Sequence, residues 1–151
     1  MYNIIENYCI EKDTIAELGA FSIIWGIAEE EHFGKFCTRE KIENMDFEHY
    51  VDLYEKAIYV KEAFLGCFPS QPLKELRADK EWWVKISDWL VTNWSGKDFI
   101  QTTFYACFRI RNNLFHGEKA YFALNRQKDL FIAVNEFLQE FIIMGKTDIL
   151  L

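Results

Sequence analysis

In the stretch Asp98-Phe-Ile-Gln-Thr-Thr-Phe-Tyr-Ala-Cys-Phe-Arg-Ile-Arg-Asn-Asn-Leu-Phe-His116, residue character changes with a period of three to four positions, the spacing of one helix face. Tyr105, Arg109, Asn112, Asn113 and His116 share one side of that helix. Phe104, Cys107, Phe108, Ile110, Leu114 and Phe115 share the other. Ser95 or Asp98 can cap its start and Gly117 can stop it. Arg111 breaks the pattern, because it falls in the middle of the apolar side. A guanidinium there is expensive to desolvate and needs a carboxylate, a phosphate or a solvent-filled cleft. Departures of this kind mark functional sites, or else buried ion pairs, for which Glu29 or Glu30 could supply the acid.

The rest of the chain is helical in pattern. Asp13 or Thr14 can cap a long helix ending near Phe33, apolar nearly all round, on which Gly19, Ser22 and Gly26 form a narrow stripe. That stripe predicts a central helix closely approached by a neighbour. A second helix is expected from about Asp46 to Gly66, with Phe47, Tyr50, Val51, Tyr54, Ala57, Ile58 and Phe64 at helical spacing. The only two prolines, Pro69 and Pro72, punctuate the chain, and Pro72 suits a first helical turn. Trp82, Ile86, Trp89 and Leu90 continue the pattern to about Gly96, while Asn125 can cap a last helix that Gly145 closes. No stretch alternates as a strand does, so the fold class expected is an all-α bundle of about five helices.

Composition narrows the possibilities. A chain of 151 residues, half of them apolar, with fourteen Phe, seven Tyr and five Trp, can bury a core without disulfide or metal support, and residues 1–151 read as a single domain. Seventeen basic against 24 acidic residues give a net charge of -7, which opposes broad nonspecific binding to nucleic acid and leaves room only for a local contact. Cys9, Cys37, Cys67 and Cys107 are widely spaced and read as core thiols of a cytoplasmic protein. His32 and His49 have no partner at metal-ligand spacing and are expected in surface or capping positions, so neither a metal nor a cofactor is expected. Leu18 to Ala28 is too short to span a bilayer, and no secretory signal is visible. The aromatic clusters, Trp82, Trp83 and Trp89 included, are expected in the core.

His116 is the one histidine with an arginine and two side-chain amides within one and a half turns. Such a group can bind a phosphodiester. The run Arg111-Asn112-Asn113-Leu114-Phe115-His116-Gly117 resembles the motif of the HEPN (higher eukaryotes and prokaryotes nucleotide-binding) family, an Arg followed by a polar residue and, a few positions on, a His. The resemblance implies a small helical bundle that dimerises through its motif-bearing helices. It also implies a metal-independent endoribonuclease acting on RNA in toxin or antiviral-defence systems, with an antitoxin or defence-system protein as a possible partner.

Carried onto this chain, the resemblance makes Arg111, Asn112 and His116 the catalytic candidates. His116 acts as general acid or base, Arg111 neutralises charge on the phosphate, and Asn112 orients either one. Tyr105, Arg109, Asn113 and Lys119 are the candidate substrate-binding residues, with Arg126 and Lys128 as a secondary basic rim. The competing expectation is a non-catalytic HEPN scaffold that binds a nucleotide or a partner protein. A plain interaction protein outside the family is the third.

Overall fold

The computed structural model describes residues 4–76, 80–115 and 121–150. Helix accounts for 81% of the structure and no strand occurs among the described residues, as the uniform helical spacing requires. The elements are α1 (Ile4–Asn7), α2 (Lys12–His32), α3 (Arg39–Asn44), α4 (Tyr54–Cys67), α5 (Pro72–Leu76), α6 (Trp83–Val91), α7 (Lys97–Phe115) and α8 (Lys128–Leu150). A 3-10 segment, Glu48–Leu53, runs into α4, and another, Tyr121–Gln127, runs into α8. Five of the helices have seven or more residues, which makes the bundle the size expected.

The long pair α2 and α8 packs along most of its length, α4 lies on α8, and α7 crosses α3, α4, α5 and α6. Phe104 of α7 is fully buried where these layers meet. Its ring stands 5.7 Å from Trp25 of α2, 5.3 Å from Phe33, 5.9 Å from Phe47 and 4.9 Å from Phe141 of α8. A second knot joins α6 to α7. The Trp89 indole donates to Thr103 Oγ1 at 2.9 Å, and that hydroxyl donates to the Phe99 carbonyl, so the buried polar atoms of both are satisfied. Trp82 and Trp89 are core residues as expected, whereas Trp83 is half exposed.

Several expectations change. The stripe of Gly19, Ser22 and Gly26 is exposed, and α2 turns to the core the side bearing Thr14, Phe21, Trp25 and Ala28, because the large rings there bury more area than the small residues can. No side chain caps α2, whose N-cap is Glu11. Asn125 lies in the 3-10 segment before α8, where it accepts from the Glu11 N–H at 2.9 Å and donates to the Cys9 carbonyl at 2.8 Å. It closes the turn at Cys9, which has a left-handed φ of 57°. Gly96, rather than Ser95 or Asp98, directly precedes α7 and accepts from Ile100 N–H at 3.3 Å. Cys37 and Cys107 are buried, Cys67 is half-buried and Cys9 is exposed. The expected stop at Gly117 lies outside the described residues.

Gly145 does not close the last helix, since α8 runs through it to Leu150. Its role is steric: a side chain there would overlap Cε1 of His32, whose ring meets Phe141 edge-on at 4.8 Å. His32, the last residue of α2, is thus packed against α8 and is not a surface histidine. His49 is exposed, 3.8 Å from Asp46. Among the described residues no helix is long and apolar enough to cross a membrane.

Two outcomes follow from this contact. Gly145→Ala should cost about 1–3 kcal/mol in urea unfolding, the sign opposite to the usual gain for alanine within a helix, whereas Gly66→Ala, which meets open space, should not. Burial holds the His32 pKa below its ordinary 6.5, with Glu31 opposing. The unfolded chain then binds the proton first as pH falls, so this contribution to stability is complete above about 6.5 and is lost between there and the lower folded value. His32→Asn should flatten that portion of the stability profile, measured by unfolding from pH 7.5 to 5.

Candidate functional site

α7 carries the site because its two sides face different surroundings. The side bearing Phe104 and Cys107 is sealed in the core, and the Cys107 thiol, fully buried, has its pKa pushed up by desolvation. On the next strip, Tyr105, Phe108, Arg109 and Asn112 form one wall of an open cleft of about 710 Å³. The opposite wall is α3, through Thr38, Arg39, Glu40 and Glu43. Thr38 caps α3 by accepting from the Lys41 N–H at 3.2 Å, which fixes the start of that short helix.

The cleft wall is held by a polar and aromatic relay. Glu43 accepts from the Trp82 indole at 3.0 Å and lies 3.7 Å from Arg39, which also pairs with Glu81 at 3.3 Å. Trp82 stacks on Tyr105 with centroids 4.1 Å apart and planes 3° from parallel, and the Lys85 ammonium stands 4.6 Å from the Trp82 ring. Gln101 donates to the Ile42 carbonyl at 3.1 Å, tying α7 to the end of α3. The result is a pre-formed groove whose charge is mixed, with Arg39, Glu40 and Glu43 on the α3 wall and Arg109 on the α7 wall. It can offer both donors and acceptors to a polar ligand.

The predicted residues do not all converge. Arg111 and Asn112 are together, with Arg111 Nη1 donating to Asn112 Oδ1 at 3.3 Å. Asn112 lines the cleft, while the Arg111 guanidinium is on the side of Cys37. There burial and then Glu29 push the Cys37 thiol up to about 12, against the opposing pull of Lys41 and Arg111. That thiol is protonated at neutral pH. Of the two acids considered for Arg111, Glu29 accepts from the Cys37 N–H at 2.7 Å, and Glu30 is on the exposed side of α2.

Tyr105 reaches the cleft only as an edge, since it is 1% exposed and stacked on Trp82. Its place at helical spacing from Arg109 put it on the polar side, but α6 covers that part of α7. Arg109 Nε donates to the Leu76 carbonyl at 3.1 Å and Asn113 Nδ2 donates to the Glu75 carbonyl, so both hold the end of α5. Arg126 is exposed and Lys128 half-buried. His116 and Lys119 lie outside the described residues.

Thr38, Arg39, Glu40 and Glu43 were missed by the sequence reading. The available signal was Thr38 ahead of the charged run Arg39-Glu40-Lys41, a helix start, but six residues are too few to show a period. Among the described residues no group of three or more His, Cys, Asp and Glu is placed to hold a metal ion. No known family, no curated protein and no solved structure matches this chain.

The hydrogen bonds to α5 predict a structural cost. Arg109→Ala and Asn113→Ala should each lose about 1 kcal/mol and should speed hydrogen exchange in α5 while sparing the α2 and α8 amides. Unchanged exchange in α5 would mean that these bonds do not hold it.

Proposed function

We propose that this protein is a metal-independent endoribonuclease of HEPN type. The observation that carries the reading is the run Arg111-Asn112-Asn113-Leu114-Phe115-His116, in which Arg111 to Phe115 end α7 and Arg111 and Asn112 are hydrogen-bonded to each other beside the cleft. His116 is the next residue after the described end of α7.

In this reading the 2′-hydroxyl of the RNA loses its proton to His116 and attacks the adjacent phosphorus. Attack within one nucleotide gains from proximity, and the nucleophile needs no metal to position it. Arg111 neutralises the charge that builds on the non-bridging oxygens, and Asn112 fixes the guanidinium. The 5′-oxygen leaves with a proton from a second acid, giving a 2′,3′-cyclic phosphate and a 5′-hydroxyl. Imidazole suits either role because its ordinary pKa of about 6.5 keeps both forms populated near neutrality.

Each chain has one such histidine. A homodimer with its two motif-bearing α7 ends in one composite cleft supplies the second proton-transfer group. The setting we propose is the cytoplasm, in a toxin or antiviral-defence role, with an antitoxin or defence-system protein as a further partner.

A second reading, a non-catalytic HEPN scaffold binding a nucleotide or partner protein, is favoured by two observations. The net charge is -7, and Arg109 and Asn113 are engaged with α5 carbonyls. RNA cleavage in EDTA separates the two. Wild-type protein should cut RNA under these conditions, and a single 2′-deoxy residue at the cleaved position should stop cutting there. His116→Ala should lose roughly 10²- to 10⁴-fold in rate with normal unfolding behaviour. Wild-type cutting by that variant, or a requirement for added metal, excludes the chemistry.

A further inference from the structure

The exposed side of α2 is organised. Lys12, Ala16, Gly19, Ile23, Gly26 and Glu30 recur at spacings of four and three, and all six are exposed. At ~100° per residue they fall within an arc of about 80°, a straight seam along a helix of 21 residues, about 30 Å long. This is the repeat of a helix that packs against another in a coiled-coil manner. Ile23 on the seam is 66% exposed and Ile27 beside it 39%.

We propose that the seam pairs with the same seam of a second copy, in antiparallel fashion, about a two-fold axis level with Phe21. The proposal builds on the dimer of the preceding reading, not on its chemistry. The sequence of the seam is self-complementary about that level. Lys12 lies opposite the partner's Glu30, Ala16 opposite the partner's Gly26, and Gly19 opposite the partner's Ile23. Each large residue meets a small one and each charge meets its opposite, twice over by symmetry. Among the described residues neither Lys12 nor Glu30 makes an ion pair within its own chain. A Cβ at Gly19 or Gly26 meets nothing within 4 Å, so in the single chain both glycines leave space that a neighbouring helix can fill.

The pairing also places the candidate site. On one flank of the seam, Ile15, Leu18 and Ser22 border an apolar groove that Leu114 of α7 closes. A two-fold axis perpendicular to the helix pair carries that flank onto the same side of the partner. Because the groove meets α2 around residues 18–22, level with the axis, both α7 ends come to one side of the seam. The α2 helices thus make the contact, and the motif-bearing helices are brought beside each other by it.

Sedimentation of the full chain tests the proposal, with circular dichroism as the check on folding. Wild type should dimerise, and Ile23→Asp should weaken the dimer roughly a hundredfold or more without loss of helix. Lys12→Glu and Glu30→Lys should each weaken it, and the double variant should restore it towards wild type. A wild-type monomer at high micromolar concentration, a dimer indifferent to Ile23→Asp, or a double variant no tighter than the singles each overturns the seam. A dimer with the expected pattern that cuts no RNA keeps the seam and removes the chemistry, whereas an RNA-cutting dimer indifferent to Ile23→Asp does the reverse.

Discussion

Phe104 is the residue on which the layers close. Its ring meets Trp25 of α2, Phe33 after it, Phe47 before α4 and Phe141 of α8, with no exposed surface of its own. Three segments from distant parts of the chain, the end of α2, the turn at Phe47 and α8, are thereby fixed against one position of α7. The aromatic content read from composition is spent here. Rings that pack tilted or offset at 5–6 Å gain contact and tolerate few alternative arrangements.

Fixing Phe104 orients the whole of α7. One turn later, Phe108 stands 6.2 Å from Trp25 and turns towards α3, and the following turn presents Asn112 to the cleft and Arg111 to the Cys37 side. The opposite flank of α7 is covered by α5 and α6, which bury Tyr105 against Trp82 and engage Arg109 and Asn113. A rigid helix with its base locked in the core can hold a polar end group in a constant place. The end group here is Arg111 with Asn112.

Legibility in the sequence followed the length of each element. α2, α4, α7 and α8 repeat their apolar residues over three or more turns, and the sequence reading located all four. α1, α3 and α5 have four to six residues and show no period, so the α3 wall of the cleft went unseen although Thr38 signals a cap. The glycines misled in a consistent way. Gly145 read as a stop, yet it makes room for His32, and Gly19 and Gly26 read as a contact within the chain, yet they face outward. A small residue signals that something comes close, but not whether the neighbour is a side chain, a helix of the same chain or another molecule. For the same reason Arg111 was identifiable as an anomaly while its surroundings were not, because Cys37, on whose side it lies, is some seventy positions earlier in the chain.

The proposed chemistry needs a cleft completed by two copies of the chain, each contributing its His116. Co-refolding wild type with His116→Ala in increasing excess and following RNA cleavage tests this directly. A mixed dimer holds one His116 and lacks the second proton-transfer group. Cleavage per wild-type chain should fall steeply as mixed dimers form, whereas cleavage per wild-type chain that stays constant would place the whole site within one chain and contradict the shared cleft.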